Sequence, residues 1–168
     1  MMYLLFLIIA LCILFLVVTA RKRFNRHQHN VLKSEKILQK INSFQYAGQK
    51  MNYLRKIDPF VFEELLLSAY QKKNYSIVRN QKYTGDGGID GLVYDKDGNE
   101  ILIQAKRYSS YVNPKHLDDF LNLVNSSSAI KGKFIHTGKT GKQTYSTYKN
   151  SNIEIISGSR LLTLLNTV

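Results

Sequence analysis

The chain has 168 residues, 44% hydrophobic and 21% charged, which suits one compact domain plus a short appendage. Its formal net charge is +12, and its single cysteine, Cys12, excludes both a disulfide framework and a cysteine-based zinc site. The charge is uneven: residues 21–57 hold ten Lys/Arg against one acid, so most of the excess sits beside the apolar N-terminus, and a basic pI alone is weak ground for nucleic-acid binding.

Residues 1–20, "MMYLLFLIIALCILFLVVTA", carry no charge. As a helix they would measure about 30 Å, the thickness of a bilayer core. "RKRFNR" follows at once, and Lys/Arg collect on cytoplasmic flanks. The reading is a single-pass anchor in the cytoplasmic (inner) membrane, N-terminus out, with residues 21–26 against anionic lipid. A cleaved signal peptide is the rival, with small residues at Val18-Thr19-Ala20. It lacks a positive n-region, and its basic cluster lies on the wrong side. Residues 21–57 read as a basic, partly helical juxtamembrane linker, with Val31, Leu32, Ile37, Leu38 and Ile41 at helical spacing.

Residues 58–168 form the folded domain. Asp58-Pro59 caps a helix with an apolar face of Phe62, Leu65, Leu66 and Tyr70, and Glu63 lies at the edge of that face. "NYSIVRN" is a strand, "YTGDGGIDG" must turn, and "GLVYD" and "EILIQAKRY" are strands joined across "KDGN". "NPKHLDDFLNLVNSSS" is a helix, "KGKFIHTG" a strand, "KTGKQTYSTYKN" a helix, "IEIIS" a strand and "SRLLTLLNTV" a closing helix. The order αβββαβαβα predicts an α/β fold, a mixed central sheet with helices on both faces.

Several look-alikes fail on spacing. "DKDGNE" starts like a calcium loop, but Glu100 and Lys106 stand where Gly and Glu are required. Gly132 and Gly138 are one residue too far apart for a phosphate loop. His116 and His136 lack partners at ligand spacing, which favours solvated or capping roles.

The stretch 85–108 remains. Side chains alternate along a strand, so Gln104 and Lys106 share a face, and a hairpin brings Asp90 alongside. A carboxylate, an amide oxygen and a main-chain carbonyl suit Mg²⁺, with a lysine placed to hold water or stabilise a phosphorane, and Glu63 within reach of the metal or its water. The alternative is a solvated hairpin edge, which accounts for Asp95, Lys96, Asp97 and Glu100 but poorly for Gln104 and Lys106. Geometry sets a condition. A two-residue turn at Asp97-Gly98 would aim Asp90 away from Lys106; the site needs a three-residue loop (97–99) pairing Asp90 near Lys106, or a bulge near Gly91.

"FEELLLSAY", "GDGGIDG", "IQAKRY" and "FIHTGK", in this order, resemble the catalytic domain of Mrr-like restriction endonucleases, in the PD-(D/E)xK nuclease superfamily. The resemblance covers roughly residues 54–166. It implies a restriction-endonuclease-like αβββαβ core and Mg²⁺-dependent cleavage of double-stranded DNA, with Mn²⁺ as a substitute. Asp90 is then the metal-binding aspartate, Gln104 stands where most members have Glu or Asp, Lys106 is the catalytic lysine, and the Ala105 carbonyl is a further ligand. Glu63 matches the acid of the first helix ahead of Glu64, and Asp86 supports the turn.

Arg107, Tyr108 and Lys139 are candidates for DNA contact. Cutting both strands calls for two sites, so a homodimer is expected. The pairing of anchor and nuclease suggests restriction or defence at the membrane. The non-enzymatic alternative is a silent, membrane-tethered DNA-binding module, and the intact Asp90/Gln104/Lys106 set weighs against it.

Overall fold

The computed structural model describes residues 2–80 and 88–167; the side chains of Met2, Leu4, Leu5 and Arg23 are not among them. The elements are α1 (Met2–Ser43), α2 (Ala47–Leu54), α3 (Pro59–Lys72), β1 (Ser76–Arg79), β2 (Gly91–Tyr94), β3 (Glu100–Lys106), α4 (Pro114–Asn125), β4 (Lys131–His136), α5 (Lys142–Tyr148), β5 (Ile153–Ile156) and α6 (Gly158–Leu165). From α3 onward this is the order read from the sequence. The caps are the expected ones. The Asp58 carboxylate accepts from the N–H groups of Phe60 and Val61 at 2.9 and 3.3 Å, and Asn113 accepts from Lys115 at 3.1 Å.

The sheet order is β1-β2-β3-β4-β5, with β1–β2 and β2–β3 antiparallel and β3–β4 and β4–β5 parallel. β3 is central, as apolar residues on both its faces required. Ile101, Ile103 and Ala105 pack with α1, α3 and α6, whereas Leu102 packs with α4, Phe134 and Tyr148. Gln104 and Lys106 alternate with the first set and so project to the α4 face. Gly132, the first glycine of the look-alike phosphate loop, has a packing role: a Cβ there would fall 2.4 Å from Val124 and 2.7 Å from Phe120.

The segment expected to be a linker is helical nearly throughout and joins the core. α1 runs unbroken from residue 2 to residue 43. Its residues Asn30, Ser34, Ile37, Leu38 and Ile41 are buried, and Ser34 Oγ meets Ser68 Oγ of α3 at 3.1 Å. The burying stripe includes two small polar residues, so an apolar count saw only half of it. The other end of α1 differs: every side chain from Phe6 to Val18 is exposed. Among the described residues no helix is long and apolar enough to cross a membrane. The uncharged run 1–20 is only partly among them, since Met1 and the side chains of Met2, Leu4 and Leu5 lie outside.

Candidate active site

β2 begins at Gly91 while β3 continues to Lys106, so β3 outruns its antiparallel neighbour. Gly91 opposes Ile103. The Asp90 N–H also bonds to the Ile103 carbonyl, at 2.9 Å. Two residues of one strand thus meet one of the other, the signature of a bulge. Asp95 N–H bonds to the Asn99 carbonyl beyond the Tyr94–Glu100 pair, leaving Lys96, Asp97 and Gly98 as the loop. The three-residue loop is therefore one position earlier than expected, 96–98 instead of 97–99, and the bulge near Gly91 accompanies it. Asp95 organises the turn by accepting from Asp97 and Asn99, bonds that hold its carboxyl below the usual range, the Asn99 side-chain bond foremost.

The bulge places Asp90. Its Oδ2 accepts from the Ala105 N–H at 2.6 Å, where a β2 carbonyl would otherwise continue the ladder. A residue's N–H and C=O leave a strand on the same side, so the Ala105 carbonyl is turned toward this flank too. The Lys106 carbonyl, one residue on, accepts from Thr137 on the β4 side, as alternation requires.

Gln104 is 7% exposed, and its Oε1 is a buried acceptor with no partner among the described residues. The loop that carries Asp90 lies against it: Gly88 has φ +96°, and a Cβ there would sit 2.6 Å from Gln104 Nε2. That position admits only glycine on both counts. Gly91 makes room likewise, for Leu67 of α3. The Asp86 position lies outside the described residues.

An orphaned amide oxygen, an ionisable carboxylate and a main-chain carbonyl on one open strand flank are the hard oxygen donors that Mg²⁺ takes. The donor set fits such a cation. Among the described residues there is no group of three or more His, Cys, Asp or Glu placed for a metal, and this set contains only one of those residue types.

The two glutamates of α3 separate cleanly. Glu64 is 1% exposed and locked: Arg79 Nη1 donates to its carboxylate, and His27 Nδ1 lies 3.1 Å from it. Arg79 also reaches Ser68 Oγ at 3.1 Å. Glu63 is half-buried, one helical turn before Leu67, the residue that packs on Gly91. α3 covers the face opposite to Gln104 and Lys106.

Of the proposed DNA contacts, Arg107 donates through Nη1 to the Arg55 carbonyl at 3.0 Å, and Tyr108 Oη bonds to His116 Nδ1. Lys139 is exposed, its Nζ 6.0 Å from the Tyr111 ring centre. Thr137 ties these strand ends together. Its Oγ1 donates to the Tyr108 carbonyl and accepts from the Tyr108 N–H, while Arg55 Nε donates to its carbonyl.

His136, expected to be solvated or capping, is fully buried. Its Nδ1 accepts from the Gly138 N–H at 3.1 Å, and Nε2 faces Thr140 Oγ1 at 3.0 Å. Thr140 Oγ1 in turn meets Ser157 Oγ at 3.1 Å. Burial pushes the imidazole down to about 4. The sequence offered no spacing signal for this chain, nor for Glu64–Arg79, because its members come from separate elements.

The comparisons agree with this architecture. A restriction endonuclease family model, that of the Mrr catalytic domain, matches residues 54–165. A curated relative, the type IV methyl-directed restriction enzyme EcoKMrr of Escherichia coli (strain K12), is 30% identical over 126 residues, covering 71% of this chain and 41% of its own. This chain therefore spans about two fifths of the length of that enzyme. The solved structure of MspJI restriction endonuclease in complex with a 27-mer oligonucleotide superposes with a TM-score of 0.52 at 18% identity, over 70% of this chain and 30% of that one. With a family model matched across two thirds of its length and the fold to go with it, the chain belongs to the Mrr-type restriction endonuclease family.

Proposed function

We propose that this protein is a metal-dependent DNA endonuclease that hydrolyses phosphodiester bonds in double-stranded DNA, with Asp90, Gln104 and the Ala105 carbonyl holding Mg²⁺ and Lys106 completing the site. The observation that carries this reading is the buried Gln104 side chain: its Nε2 lies against the loop that delivers the Asp90 carboxylate to Ala105, and its Oε1 has no partner among the described residues. An orphaned buried acceptor costs roughly 1–3 kcal/mol. A cation at this position removes that cost.

When bound, the metal would supply Lewis-acid polarisation of the phosphate whose phosphorus is attacked by water. The protein's own groups do the remaining work. Asp90 keeps its position through the Ala105 N–H. Lys106, on the same strand face as Gln104, holds the attacking water or stabilises the negative charge that develops on the phosphorane oxygens. Glu63, which the resemblance matches to the acid of the first helix, is the further carboxylate we assign to the metal or its water. Lys139 offers an exposed ammonium to the DNA backbone.

We also assign residues 1–20 to a membrane anchor and residues 21–26 to contact with anionic lipid. Thirteen consecutive exposed side chains from Phe6 to Val18 support this, because soluble surfaces do not leave such a continuous apolar face open. On this reading the nuclease domain lies on the cytoplasmic side, as the basic flank directs. Cutting both strands brings two copies together on one duplex.

The test is conversion of supercoiled plasmid by the full-length chain in detergent, with Mg²⁺ and with chelator. Cleavage that needs the metal supports the assignment; none under any metal condition refutes it. For the anchor, alkaline extraction leaves the chain in the membrane pellet, and release to the supernatant contradicts it.

A further inference from the structure

A second polar site lies away from Asp90, Gln104 and Lys106. Between the end of α3, strands β4 and β5, and α6 there is a groove of about 310 Å³ whose lining includes Tyr70, Lys73, Tyr75, Lys133, Glu154 and Arg160. Tyr75 adjoins Ser76, the β1 residue farthest from Arg79, and Arg79 pairs with Gly91 beside Asp90. The groove is thus separate from the candidate active site, and its volume is at the lower end of small-molecule pockets.

One donor in this groove is unsatisfied and a second is loosely held. Tyr70 is 2% exposed, and its Oη has no hydrogen-bond partner among the described residues. Lys133 projects from β4 over the rings of Tyr70 and Tyr75, its Nζ 4.9 and 5.5 Å from their centres. Its ion-pair partner is Glu154 at 4.0 Å, beyond hydrogen-bonding reach, and Glu154 is already held by Arg160. Three cations therefore line the groove against one carboxylate. Burial lowers the Lys133 ammonium and raises the Tyr70 phenol, as expected for donors taken from water without replacement partners. A partly dry ammonium, a buried O–H on a residue that lines the same groove, and surplus positive charge suit an anion with several acceptor oxygens.

We propose that this groove binds a small phosphate-bearing ligand, its oxygens accepting from Tyr70 Oη and Lys133 Nζ. The aromatic walls of Tyr70 and Tyr75 extend the site beyond the anion. Two sources of the same chemistry are distinguishable: free phosphate, and the phosphate of a nucleotide.

The test is calorimetric titration of the full-length chain in detergent with inorganic phosphate and, separately, with deoxyadenosine monophosphate. Lys133→Met should weaken binding about tenfold or more, and Tyr70→Phe several-fold, while Lys133→Arg stays within a few-fold of the wild type. Thermal unfolding identifies any variant that fails to fold, and the Tyr70→Phe and Lys133→Arg pair keeps the comparison open in that case. Tighter binding of the nucleotide assigns the groove to organic phosphates; equal binding assigns it to the anion. No binding of either ligand to the wild type, or equal affinity in all variants, overturns the proposal.

Discussion

The Asp90 carboxylate accepts from the main-chain N–H of Ala105 at 2.6 Å, across a bulge and beyond the last β2–β3 pair. A side chain here continues a ladder that the backbone has left. The same bond holds a carboxylate and a main-chain carbonyl on one flank of β3, next to the unpartnered Gln104 oxygen.

Gly88 should be intolerant of substitution for a functional reason. Gly88→Ala meets both a positive φ and the Gln104 carboxamide. We expect a stability loss of about 1–2 kcal/mol in thermal unfolding, with cleavage reduced far beyond that loss because Gln104 is displaced. Full activity in Gly88→Ala would detach Gln104 from the site.

Glu63 and Glu64 should divide activity from stability. Glu64→Gln leaves Arg79 without its buried counter-charge and should cost roughly 3–5 kcal/mol, read as a large fall in unfolding midpoint. Glu63→Gln should leave the midpoint nearly unchanged and slow cleavage. The reverse pattern would exchange their roles.

His136 sets a pH window for stability. Its folded value of about 4 lies below the ordinary 6.5. Above pH 6.5 both folded and unfolded states are neutral there, and the residue is without effect. As pH falls from 6.5 to about 4 the unfolded chain takes up a proton that the folded chain refuses, so stability declines by about 3 kcal/mol across that window. Denaturant unfolding against pH should show this slope in the wild type and a shallower one in His136→Gln.

Much of the fold was legible because its signals are local. Asp58-Pro59 and Asn113-Pro114 announce their helices, and alternation along Ile101–Lys106 marks a central strand. The family resemblance in "GDGGIDG" and "IQAKRY" pointed to the residues of the proposed site. What escaped depends on contacts between elements. The burial of Asn30 and Ser34 follows from close approach to Ser68, not from hydropathy. The Glu64–Arg79 pair joins a helix to the end of a strand 15 residues away. Hairpin register was bounded by parity but not fixed: the loop falls at 96–98, one residue earlier than expected, and the ladder ends in a bulge at Asp90.

The central claim is that Asp90 and Gln104 hold the metal while Lys106 acts in cleavage. Titration of Mg²⁺ or Mn²⁺ into the full-length chain, read beside plasmid cleavage by the same samples, separates these roles. The account predicts that Asp90→Ala abolishes metal binding and cleavage together, and that Gln104→Ala weakens metal binding. Lys106→Ala should bind metal normally yet cleave at least ~10²-fold more slowly. Undiminished metal binding in Asp90→Ala, or wild-type cleavage by Lys106→Ala, would contradict it.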